Sequence, residues 1–103
     1  MSLQDEIENL IKIYFEPYRL KKRVLSEIKE ASMAVKELGY EVEPKVILEA
    51  LKLVIEITEM QSRWSASLFM HQIRRTLDSG ILKRHIIEHY YVEDIKRRRG
   101  LRK

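Results

Sequence analysis

Residues 81–92 read ILKRHIIEHYYV, and whether this stretch is helix or strand decides the fold. Leu82, Ile86 and Tyr90 recur every four residues, with Glu93 next in register, which is the period of one helix face. Against that, Ile86-Ile87 and Tyr90-Tyr91-Val92 are rich in strand formers. A half-buried strand would alternate apolar and polar side chains, and no clean alternation appears. The spacing therefore predicts a helix from Ile81 to about Arg98.

Upstream, Asp78-Ser79-Gly80 reads as a tight stop. Before it, Ala66, Phe69, Met70, Ile73 and Leu77 form the inner face of another helix, capped by Ser62 or Ser65, with Arg74 and Arg75 outside that face. Residues 44–61 open on Pro44, suited to a first helical position. A thin charged stripe (Lys45, Glu49, Lys52, Glu56, Glu59) leaves the rest mostly Val, Ile, Leu and Ala. A helix apolar around most of its circumference belongs at the centre of its domain, and Leu51, Val54 and Ile55 are its candidates for full burial. Leu20, Val24, Ile28, Ala31, Val35 and Leu38 form a further stripe ended by Gly39, with Pro17 as an expected first residue. At the start, Leu3, Ile7, Leu10, Ile11, Tyr14 and Tyr18 mark a helix capped by Ser2 and Asp5 in a capping box, which Pro17 should end near Phe15.

The expected fold is all-α: one compact, bundle-like domain of four to five helices over residues 1–95, followed by a mobile basic tail at 96–103. The strand reading keeps one alternative open. The stretch QIRRTLDSGILKR (residues 72–84) resembles the recognition helix and first wing strand of a winged helix-turn-helix domain. That resemblance implies a wing at His85–Val92 and places Arg74 and Arg75 toward a nucleic-acid groove.

His85-Ile86-Ile87-Glu88-His89 matches H-x-x-E-H, resembling the inverted zinc-protease motif, in which two imidazoles one turn apart hold zinc. A hydrolytic zinc needs a third protein ligand, and only 14 residues, mostly Arg and Lys, follow His89. Glu93 and His71 are the remaining candidates, with no second catalytic region. The histidines read better as flanks of an apolar stripe. The chain has no cysteine, and its three glycines, Gly39, Gly80 and Gly100, form no phosphate-binding loop. The residues thus point away from an enzyme, a metal and a cofactor.

Charge is the strongest functional signal. Residues 1–60 carry nine basic against twelve acidic side chains, and residues 61–103 carry eleven against four. The last eight residues, KRRRGLRK, hold six cations. Such asymmetry points to a polyanionic partner, and the expected function is non-catalytic binding of nucleic acid, DNA or RNA. The candidate contacts are Arg74, Arg75, Lys83 and Arg84 around the Gly80 turn, joined at one end of the domain by Lys96, Arg97, Arg98, Arg99, Arg102 and Lys103. The alternative is a protein-assembly module, a homodimer or a subunit of a larger complex, anchored by Trp64, Phe69, Tyr90 and Tyr91. No signal peptide or membrane-length apolar run is visible, so a cytoplasmic protein is expected. Its abundant Lys, Glu, Arg and Ile resemble a thermophile's composition.

Overall fold

In the computed structural model, which describes residues 2–63 and 65–101, the chain forms five α-helices. These are α1 (Leu3–Tyr14), α2 (Lys21–Glu37), α3 (Pro44–Gln61), α4 (Ala66–Asp78) and α5 (Ile81–Leu101), with a 3₁₀ turn at Glu16–Tyr18. Trp64, Arg102 and Lys103, and the side chains of Ala66 and Leu101, lie outside the described residues. No strand occurs among the described residues, so the winged alternative fails. Burial of Leu82, Ile86 and Tyr90 along one face of α5 outweighs the strand preference of the residues between them.

Local chemistry explains most boundaries. Ser2 and Asp5 form the expected capping box on α1. At the end of α2, Gly39 has φ +93°, the left-handed region that glycine enters without steric cost. Its N–H donates to the Lys36 carbonyl and that of Tyr40 to Val35, closing a Schellman motif. Pro44 opens α3, and the Ser65 hydroxyl accepts from the Leu68 N–H to cap α4.

Pro17 departs from expectation. It does not open α2 but sits inside the 3₁₀ turn, and α2 begins four residues later. Arg19 takes a left-handed φ of +61°, so the turn cannot run on into helix. The Phe15 carbonyl accepts from both Tyr18 and Leu20. That reversal brings Phe15 and Leu20 together into the core.

α3 is the centre, as its composition requires. Leu51 and Val54 are wholly buried and Ile55 nearly so, and the helix packs against α1, α4 and α5. α5 also packs along α2. Of the expected inner face of α4, Ile73 and Leu77 are buried and Phe69 half-buried, but Met70 is 52% exposed. Met70 sits one position past Phe69, at the edge of an apolar face already closed by Ile73 and Leu77.

The N-terminal half of α5 belongs to this core. Tyr90 stacks near Tyr40 (ring centroids 5.9 Å apart), and its hydroxyl accepts the Glu43 N–H at 2.8 Å, at the start of α3. One turn on, it is Asp94 rather than Glu93 that faces the body, accepting from the Tyr40 hydroxyl at 3.1 Å. Beyond Asp94 every described side chain of α5 is exposed.

Candidate nucleic-acid interface

The cations expected around the Gly80 turn lie at the end of α4 and the start of α5, and three of the four are engaged. Arg74 donates to the Tyr18 carbonyl at 3.3 Å, and Arg84 to the Ser79 carbonyl at 2.9 Å. Lys83 pairs with Glu30 of α2 at 3.6 Å. Arg75 is exposed on α4.

This end of the molecule is also mixed in sign. Arg23 of α2 reaches both Asp78 and Glu27, and a cleft of about 320 Å³ between the helices is lined by Arg23, Glu27, Glu30, Asp78, Gly80 and Lys83. Gly80 accepts the first backbone bond of α5 from Arg84, yet has no side chain with which to cap the free amides that follow. Glu27 lies against this helix start, with the Lys83 amide favouring its ionised form, although neither carboxylate oxygen has a hydrogen-bond partner at full geometry. Burial pushes the Glu27 carboxyl above its ordinary range. Arg23 and Lys83 pull it down, while Glu30 adds to the rise. Neither Arg23 nor Glu27 was among the expected site residues. The signal existed, because Glu27 falls between Val24 and Ala31 on the apolar stripe of α2.

The second basic group is elsewhere. Residues 96–101, expected as a tail beside the Gly80 turn, continue α5 as helix. Lys and Arg are good helix formers, no proline interrupts the run, and cations at a helix C-terminus complement its dipole. Arg84 and Lys96 are twelve positions apart along the helix, or about 18 Å at 1.5 Å per residue. The two groups therefore do not share one end of the domain. Lys96, Arg97, Arg98 and Arg99 are all exposed. Arg98 pairs with Asp94 at 3.1 Å, and the other three make no ion pair among the described residues.

The H-x-x-E-H residues lie on α5, with His85 and His89 half-buried and Glu88 exposed. The His89 ring sits edge-on to Tyr90, centroids 4.9 Å apart. Among the described residues no three His, Asp or Glu side chains converge as metal ligands. Of the expected aromatic anchors, Phe69 packs against Tyr14 and Tyr18, Tyr90 is buried, and Tyr91 is 56% exposed.

The arrangement is thus one helix with two electrostatic characters: cations balanced by acids at its start, and cations largely unbalanced at its end. Among the described residues no helix is long and apolar enough to cross a membrane. No protein-family model, curated protein or solved structure matches this chain.

Proposed function

We propose that this chain is a non-catalytic nucleic-acid-binding protein that grips phosphates with the basic C-terminal part of α5. The observation that carries the reading is the run Lys96–Arg99, four consecutive exposed cations on a helix that has left the packed body, with one acidic partner among them. Phosphate neutralisation releases condensed counterions and needs no preformed pocket, which suits a site that is a projection rather than a cleft. Arg102 and Lys103 extend the same basic sequence. Arg75, and at lower weight Arg74, Lys83 and Arg84, form a secondary contact, because engaged cations gain less from a phosphate.

The test is binding to a DNA duplex across a range of salt concentrations, for the whole chain and for a variant ending at Ile95. The variant keeps every buried apolar residue and should fold. It should bind more weakly, with the slope of log K against log salt reduced by roughly two to four if most of the lost cations meet phosphates. Equal affinity and slope would remove nucleic acid from the reading.

A second reading, a homodimer or an accessory subunit of a larger assembly, is favoured by the apolar side chains left outside. Met33, Met60 and Met70 are each more than half exposed, and exposed Met is typical of interface anchors. A mass measurement in solution, run on the free chain and on its nucleic-acid complex, separates this reading from a monomeric binder.

A further inference from the structure

The last side-chain hydrogen bond between the body and α5 among the described residues is that of the Tyr40 hydroxyl to Asp94. Residues 95–101 continue as helix, so seven residues project for about 10 Å. Successive residues of a helix are turned by about 100°, and Lys96, Arg97, Arg98 and Arg99 therefore face four directions around the axis. A surface patch for a flat polyanion would have its cations on one side. A rod with cations on all sides suits a partner that presents negative charge on more than one side of it.

We infer that the partner is B-form duplex DNA and that the C-terminal projection of α5 enters its major groove by its end. This inference rests on the nucleic-acid reading above. A helix with its side chains is about 10–12 Å across, and the major groove of B-DNA is about 12 Å wide and 8.5 Å deep, walled by phosphates on both sides. The free length of the rod is close to that depth, so the body need not collide with the backbone. Duplex RNA fits poorly, because its major groove is too deep and narrow for protein side chains to read. A single strand is bound by a concave basic groove with aromatic platforms. Here the basic surface is convex, and Tyr91 is the one aromatic with a majority of its surface exposed among the described residues. The elongated molecule, 53 × 25 × 23 Å, agrees with a projecting element.

The experiment compares the whole chain on three probes of one sequence: a DNA duplex, the matching RNA duplex and the single DNA strand, at fixed salt. Methylation of the saturated DNA duplex adds a groove-specific readout, since guanine N7 lies in the major groove and adenine N3 in the minor groove. The DNA duplex should bind most tightly, with guanine N7 reactivity falling several-fold and adenine N3 reactivity unchanged. Arg97→Pro, which breaks the rod but keeps all but one of its cations, should lose the N7 protection and the preference for duplex while keeping salt-dependent binding. Equal affinity for all three probes, or protection of adenine N3, would overturn the groove inference and leave nucleic-acid binding intact. Binding to none of the three would end both.

Discussion

The two halves of α5 are built from similar residues and have opposite fates. Residues 81–90 include Lys83, Arg84 and five apolar side chains counting both isoleucines of Ile86-Ile87, and they are locked between α2 and α3. Residues 91–101 include Tyr91, Val92 and Ile95, each more than 40% exposed, with four cations beyond them. Composition does not separate the halves; spacing does. Leu82, Ile86 and Tyr90 keep a four-residue period that lays one stripe against the core. Tyr91, Val92 and Ile95 lie away from that stripe, and its next position, 94, holds an aspartate. The lesson is that a helix can be packed and then projecting in series, with the change marked by the point at which the apolar period ends.

The comparison is broken most directly by matched truncations. Ile86→Ala removes a wholly buried side chain and should cost about 2–5 kcal/mol, like Leu51→Ala in α3. Ile95→Ala should stay within about 0.5 kcal/mol, as a surface substitution does. Urea unfolding monitored by circular dichroism measures both. Equal losses at 86 and 95 would mean that the second half packs on something in solution, and would move weight to the assembly reading. A smaller effect sharpens where the boundary falls. Tyr90→Phe keeps the ring but deprives the Glu43 N–H of its acceptor at the start of α3, costing about 1 kcal/mol. No loss would mean that water replaces the hydroxyl and that the buried ring alone holds this point of α5 to the core.

Much of this architecture was legible in residue spacing. The capping box at Ser2, the stop at Gly39, the start at Pro44 and the central position of α3 all follow from local chemistry and periodicity. Two buried residues were also within reach: Phe15 continues the four-residue period of Ile7 and Ile11, and Glu27 lies on the stripe of Val24 and Ala31. Other features are tertiary. Nothing near Pro17 in sequence dictates that Arg19 should turn left-handed, because that reversal is set by where Phe15 and Leu20 must go. Nor does the sequence show that Lys83 meets Glu30 from another helix, or that Arg74 meets the Tyr18 carbonyl. Counting cations along the chain merged two groups that the straightness of α5 holds apart. The basic run was read as a tail from its charge repulsion, whereas helix propensity and the Asp94–Arg98 pair favour continuing the helix.

The smallest effect tests the structural end of α5 and is visible as a pH dependence. Glu27 lies on α2, facing the uncapped start of α5, with Arg23 and Glu30 beside it on α2, Lys83 on α5, and Asp78 of α4 across from Arg23. Burial raises its carboxyl above the ordinary value of 4.5. Through the window between 4.5 and the raised folded value, the native state holds more proton at Glu27 than the unfolded chain does. Stability therefore falls as pH rises through that window. Below it both states are protonated and the penalty vanishes; above it the penalty is fully present. Glu27→Gln keeps the shape and removes the charge, so it should melt higher than wild type at pH 7, with the gap closing as pH is lowered toward 4. If the variant instead melts lower at pH 7, and the deficit shrinks on acidification, then Arg23 and the first amides of α5 outweigh burial. Glu27 would then be a stabilising cap supplied from another helix, and the cations at that end would be more firmly committed to structure than the proposed function requires.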